Sequence, residues 1–270
     1  MPQDHSLWHN IFLTMTELHF LDPNPPGAPG VLLLHGLGVN GSSWNWQFAP
    51  LVEAGFRPLA PDTPGFGESR YDGHGWSLRR VAADLAAWLD ELALGPVYVV
   101  GLSMGAAIAQ QFALDTPRLV KKLVLASSFA ALRPERLSGW LYLLRRAWLV
   151  SFKGIPAQAH FVAMRLFPDP DQAPLRQLLI EQITQADPRA YYAAMRSLAL
   201  FDSRRRLHRI TVPTLVITGA RDGTVSPTVQ KLLVGKIPGA RQVIIAGAGH
   251  AVSVDHPDEF NRALMDFLRE

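Results

Sequence analysis

The sequence predicts an α/β fold: a mostly parallel, doubly wound sheet carrying a helical insertion. Three observations predict it. Short apolar, β-branched runs alternate with segments of helical periodicity, the pattern of a parallel sheet with crossover helices. That alternation stops near residue 128 and resumes near residue 210. Before that break, an expected strand ending at Val100 meets a helical segment at the pentapeptide Gly101-Leu102-Ser103-Met104-Gly105. A serine with glycines two residues to either side, set between a strand and a helix, is held on a sharp turn that leaves its hydroxyl exposed.

The strands follow in order. Residues 31–34, 57–60, 97–100, 122–126, 214–218 and 242–246 are short apolar runs bounded by turn residues. Residues 17–21 add an antiparallel edge strand, because only a short Pro/Gly loop separates them from the next strand. Helices are expected over 44–54, 78–92, 104–115, 227–234 and 257–268. The insertion, 129–209, has no convincing strand and four helical segments, 134–150, 156–167, 173–185 and 188–200, several opened by proline. The core is therefore 1–128 with 210–270. The aromatics of the insertion, Trp140, Tyr142, Trp148, Phe152, Phe161, Phe167, Tyr191, Tyr192 and Phe201, are expected to form mostly its own small core, with a subset lining an apolar pocket.

Composition narrows the chemistry. The 270 residues are 48% apolar and 18% charged, ordinary for a globular protein, and contain no cysteine, which excludes disulfides and thiolate chemistry. The N-terminus has no basic n-region and no apolar stretch long enough for a secretory signal, so a cytoplasmic protein is expected and the sequon Asn40-Gly41-Ser42 is discounted. Residues 95–114 have the low polarity of a membrane span, but the turn and two glutamines within them favour a buried strand and helix. The net charge is +3, unevenly spread: residues 129–210 carry 13 Lys and Arg against 6 Asp and Glu, the remainder 13 against 17. The run Arg204-Arg205-Arg206 is short and no nucleic-acid module accompanies it, so a solvated helix end or hinge is expected rather than nucleic-acid binding.

Acyl transfer by a serine needs a base, a group that orients the base, oxyanion donors and an open nucleophile. Each has a candidate at the carboxyl end of an expected strand, where open parallel sheets place their sites. Ser103 is the nucleophile. His250, in Gly247-Ala248-Gly249-His250 after the last strand, is the base; His256, before Pro257 at a helix start, reads as structural. Asp222, in Gly219-Ala220-Arg221-Asp222-Gly223, orients the imidazole, and no acid follows the preceding strand, where Ser127-Ser128-Phe129 stands. The backbone N–H groups of Leu37 and Met104 are the oxyanion donors. Gly36 and Gly38 let the first loop approach the site, and His35 holds that loop by hydrogen bonding. Asp62-Thr63-Pro64-Gly65-Phe66-Gly67-Glu68-Ser69 lacks the lysine of a phosphate loop and reads as a structural turn beneath the site. Trp140, Phe129 and Val225 are candidate pocket residues. No metal motif is present, and the chemistry requires no cofactor.

Taken in order from His35-Gly36 through the Asp62–Ser69 turn, the Ser103 elbow and Asp222 to His250, these segments resemble the α/β-hydrolase superfamily over essentially the whole chain outside the insertion. The resemblance implies a roughly eight-stranded sheet with the insertion as a cap. Within the superfamily the sequence is similar to capped single-domain esterases, enol-lactonases and carbon–carbon hydrolases. Ser103 separates it from dehalogenases and epoxide hydrolases of that shape, which use aspartate there. The loop His35-Gly36-Leu37-Gly38-Val39-Asn40-Gly41 departs from the His-Gly-x-Gly-Pro-Gly form of meta-cleavage product hydrolases, which weakens the carbon–carbon reading. The expectation is a serine carboxylic-ester hydrolase acting on a small-molecule ester of short to medium acyl or aryl type, as a monomer or homodimer. The positive insertion favours acidic substrates. A lactonase, perhydrolase or carbon–carbon hydrolase would use the same residues; an acyltransferase and a non-catalytic ligand receptor are the other readings.

Overall fold

The computed structural model describes residues 18–22, 27–133 and 137–270. Its single sheet has seven strands among the described residues: β1 (Phe20–Leu21), β2 (Gly30–Leu34), β3 (Arg57–Pro61), β4 (Val97–Leu102), β5 (Val120–Ala126), β6 (Thr214–Gly219) and β7 (Arg241–Ile245). Their spatial order is β1-β3-β2-β4-β5-β6-β7, with all neighbours parallel except the antiparallel pair β1–β3. Each expected strand is present within a residue or two at its ends. The edge strand is shorter than expected, and residue 17 lies outside the described residues, as do residues 134–136 at the start of the first insertion helix.

Central strands are apolar throughout because both faces are covered. Alternate residues separate to opposite sides. Leu32, Leu34, Val99 and Leu123 pack towards α2 (Leu78–Glu91) and α3 (Met104–Asp115). Val31, Leu33, Val100 and Val124 pack towards α1 (Asn45–Glu53) and α10 (Pro257–Arg269), where Trp44, Phe48, Phe260 and Leu264 are buried. Residues 95–114 thus form β4 and α3 inside this sandwich. No helix among the described residues is long and apolar enough to cross a membrane.

The chain moves one way from β2 to β3 and the other way from β4 onward, so the order reverses between β2 and β4. At such a switch point adjacent loops diverge and leave a crevice. The loops after β2 and β4 carry His35-Gly36 and Ser103.

Between β5 and β6 stand α4 (Leu137–Phe152), α5 (Gly154–Leu166), α6 (Ala173–Gln185) and α7 (Pro188–Leu200). Asp187 caps α7 by accepting from the N–H groups of Arg189 and Ala190, and the Asp187 N–H donates to the Gly65 carbonyl at 2.8 Å, fixing this helix to the loop after β3. The insertion's aromatics do not form one small core. Phe167, Tyr191 and Phe201 are buried, whereas Trp140, Trp148 and Phe152 face outward, Phe152 with 73% of its surface exposed. Of the arginine run, Arg204 pairs with Asp202 and Arg206 donates to Gln111 Oε1 at 3.0 Å, at the base of the insertion. The remaining helices are α8 (Pro227–Lys236) and the single turn α9 (Val252–Asp255).

Candidate active site

Ser103 sits between β4 and α3 with φ 54° and ψ −106°, a left-handed conformation that a residue with a Cβ adopts only under strain of about 1–3 kcal/mol. Packing imposes it. A Cβ on Gly105 would lie 1.9 Å from the Leu34 carbonyl oxygen, and one on Gly101 would lie 2.4 Å from the Gly105 oxygen. The two glycines therefore let β2, β4 and α3 close on one another, and the serine between them turns outward. Its N–H donates to the Ala126 carbonyl at 3.0 Å, extending the sheet to this serine.

The three candidate triad residues, scattered in sequence, meet. Ser103 Oγ and His250 Nε2 are 3.0 Å apart, and His250 Nδ1 and Asp222 Oδ2 are 2.9 Å apart. An ionised carboxylate only accepts, so Nδ1 carries the proton and Nε2 is left to accept from the serine hydroxyl. His250 and Asp222 are both buried. Asp222 is held on all sides: Oδ1 accepts from the N–H groups of Thr224 and Val225, both at 2.8 Å, and Oδ2 accepts also from Gln230 Nε2 at 3.1 Å.

Gln230 was not found by sequence reasoning. It lies one turn into α8, fully buried, with Oε1 accepting from Thr218 Oγ1 at 2.9 Å and Nε2 also donating to the Val225 carbonyl. A polar residue on the inward face of α8, eight residues past Asp222, was the available signal. His256, the competing histidine, precedes α10 with its ring beside Asp255, at 3.4 Å.

Leu37 lines the cavity in front of Ser103, and Met104 is the first residue of α3, where the backbone N–H has no intrahelical acceptor. His35 is fully buried. Its Nε2 accepts from the Thr63 N–H at 2.9 Å, so its proton is on Nδ1, which donates to the Gly36 carbonyl at 2.8 Å. Burial holds its pKa below the ordinary value, keeping the ring neutral. His35 thus ties the loop after β2 to the loop after β3. That second loop is braced by Asp62, whose Oδ1 accepts from Gly41 N–H and whose Oδ2 accepts from Glu68 N–H and His19 Nδ1.

Ser103 and His250 open onto a cavity of about 410 Å³. Its walls come from the core loops, including Gly36, Leu37, Phe129 and Val225, and from all four insertion helices, including Tyr142, Val162, Leu179 and Leu198. Gly38 packs beside these walls, against Ile183 and Tyr191. Of the candidate pocket residues, Phe129 and Val225 line this cavity. Trp140 does not: it is 48% exposed on the outer face of α4. Tyr142, two residues on and so about 200° around the helix, takes the inward place. Sequence reasoning missed Tyr142 as the aromatic of α4 that enters the pocket, as it missed Arg146 one turn beyond. No cluster of His, Asp and Glu suited to a metal ion occurs among the described residues.

Comparison with known proteins gives the family. The chain is 33% identical over 260 residues to a 2-hydroxy-6-oxononadienedioate/2-hydroxy-6-oxononatrienedioate hydrolase of Cupriavidus pinatubonensis, covering 90% of this chain and 87% of that one. It is 29% identical over 265 residues to a pimeloyl-[acyl-carrier protein] methyl ester esterase of Vibrio vulnificus, covering 93% and 98%. Among solved structures, the enol-lactonase from Burkholderia xenovorans superposes with a TM-score of 0.87 at 25% identity, over 97% of this chain and 100% of that one. The sequence model of the alpha/beta hydrolase family matches residues 31–263, spanning every strand from β2 onward and all three residues of the hydrogen-bonded chain, and the protein belongs to that family.

Proposed function

We propose that the protein is a serine hydrolase of carboxylic esters with short to medium acyl or aryl groups, residues 129–209 acting as a cap over the site. The observation that carries this reading is the hydrogen-bonded chain from Asp222 through His250 to Ser103 at the edge of a largely apolar cavity. His250 takes the Ser103 proton as Oγ attacks the ester carbonyl. The N–H groups of Leu37 and Met104 hold the tetrahedral oxyanion, an arrangement in which each donor contributes about 3 kcal/mol. His250 then gives its proton to the leaving alcohol, and a water deprotonated by His250 releases the acid and restores Ser103. Asp222 keeps the imidazole in the correct tautomer and stabilises the imidazolium at each stage. A small-molecule ester as the only partner, in the cytoplasm, with the protein a monomer or homodimer, completes this reading.

A lactonase or carbon–carbon hydrolase reading uses the same residues; the likeness to an enol-lactonase supports the first and that to the oxononadienedioate hydrolase the second. The test is hydrolysis of p-nitrophenyl esters from acetate to laurate by wild type and Ser103→Ala. Turnover should fall by about 10⁴-fold or more in the variant. A folded wild type that turns over none of the series overturns the ester reading and leaves the lactone and carbon–carbon substrates to be tried.

A further inference from the structure

Tyr142 and Arg146 are four residues apart on α4, so one helical turn brings both to the same face, and both line the cavity that holds Ser103 and His250. The guanidinium is built into position. With its amide turned to accept, Gln158 takes hydrogen bonds from Arg146 Nε at 2.7 Å and Nη2 at 3.1 Å. Nη2 also reaches the Tyr191 hydroxyl at 3.4 Å. Gln158 and Tyr191 are both fully buried, so the plane of the guanidinium is fixed by two rigid partners.

What remains is unused. Arg146 makes no ion pair among the described residues, and none of them accepts from its Nη1. The hydroxyl of Tyr142, whose ring centre lies 5.7 Å from the guanidinium carbon, is buried; it interacts electrostatically with Arg146 but makes no hydrogen bond of full geometry among the described residues. A second guanidinium, that of Arg165, stands 4.5 Å from the same ring and donates to the Gly223 carbonyl, again with no carboxylate paired to it among the described residues. A permanently charged group and a hydroxyl without a full hydrogen bond, side by side in a substrate cavity, lack the anion that would satisfy both. A purely structural Arg146, bracing α4 against α5, would account for Nε and Nη2 and for the attraction between the guanidinium and Tyr142, but would leave a buried cation in the cavity with no anion among the described residues.

We propose that Arg146 and Tyr142 form an anion subsite for a carboxylate borne by the substrate away from its scissile carbonyl. The substrate class is then half-esters of dicarboxylic acids, or lactones that carry a carboxylate. A carboxylate has two oxygens, one for the free Nη1 edge and one for the Tyr142 hydroxyl. This inference deepens the ester-hydrolase reading and rests on it.

The experiment compares kcat/KM for monomethyl esters of dicarboxylic acids, succinate to suberate, with methyl alkanoates of matched length. Wild type should prefer the half-ester by about 10-fold to 100-fold at its best length, as a charge-assisted hydrogen bond allows. In Arg146→Met that preference should collapse towards unity, mainly through KM; Arg146→Lys should restore part of it, and Tyr142→Phe should lose a smaller part. A wild type with no preference, or an Arg146→Met protein that keeps it, overturns the subsite. Should Arg146→Met fail to fold by circular dichroism, Tyr142→Phe and the fall of the preference with rising salt decide in its place. Should neither ester series be turned over, the ester reading has failed, and the subsite is read separately by calorimetry with adipate on Ser103→Ala. Binding that disappears in the Ser103→Ala/Arg146→Met double variant supports the subsite; no binding by Ser103→Ala overturns it.

Discussion

The strand-end loops and the four insertion helices face each other across one cavity, yet they are built on opposite terms. The loops are fixed by backbone contacts at the limit of approach: Gly105 against Leu34, and Asp222 held by two backbone N–H groups and two side chains. The helices rest mainly on side chains, the bond from the Asp187 N–H to the Gly65 carbonyl being a main-chain tie, and α4 leaves Leu137, Trp140, Leu144 and Phe152 to solvent. Geometry that must hold to a few tenths of an ångström is thus carried by main chain. The shape of the cavity on the helical side is carried by side chains that substitution can alter without moving the sheet.

The comparison breaks most sharply at Asp222. Asp222→Asn keeps the shape of the loop but presents an amide N–H where Nδ1–H must be accepted, which drives the imidazole to the wrong tautomer. Ester turnover should fall about 10³-fold to 10⁴-fold with little change in melting temperature. A loss below 10-fold would show that Asp222 does not orient the base. Gly105→Ala tests the backbone side of the argument. The new methyl meets a carbonyl in a sheet with no room to move, so denaturant unfolding should report a loss of about 4 kcal/mol or more, or no soluble protein.

A smaller effect is expected from two buried histidines at the loops. His35 has a lowered pKa because burial disfavours its charged form, so its contribution to stability is present above the ordinary value of 6.5 and is lost as pH falls through its folded pKa. His19 has a raised pKa because it donates to Asp62, so its contribution is fully present below 6.5 and is lost as pH rises through its folded pKa. The two oppose each other. His19→Asn removes the second, and its denaturation midpoint should drop more steeply than that of wild type between about pH 7.5 and 5.5; parallel midpoints would remove His19 from the balance. The smallest effect belongs to the helices. Trp140→Ser should change stability by less than about 0.5 kcal/mol and leave ester turnover unaltered, because the side chain points away from the cavity.

The same contrast explains what the sequence made legible. Ser103, Asp222 and His250 each follow a strand and sit in glycine-marked turns, so a local pattern gives both the residue and its position. The insertion's helices were legible in extent, with 173–185 and 188–200 matching to the residue. Their faces were not: α4 has large apolar residues all round, so periodicity did not distinguish Trp140, outward, from Tyr142, inward. Arg146 was hidden for a related reason. Its partners, Gln158 and Tyr191, lie on other helices, and only the packing of α4, α5 and α7 brings them together. Gln230 is intermediate, a local contact to Asp222 whose type, a buried amide, has no fixed motif.

The two ends of the insertion stand as neighbours. It leaves after β5 and returns before β6, adjacent strands, and its base is closed by the bridge between Ala131 and Asp202 and by the Ser203 N–H donating to the Ala130 carbonyl at 2.8 Å. The hydroxyl of Ser203 also donates to Gln110 Oε1 on α3 at 2.7 Å, anchoring that base to the helix behind Ser103. With the ends already joined by the core, the chain between them is a closed loop whose entropic cost changes only slowly with its length. The insertion is therefore a cassette: another set of helices of different size, grafted between residues 131 and 202, would meet the same strand-end loops and enclose a cavity of its own shape.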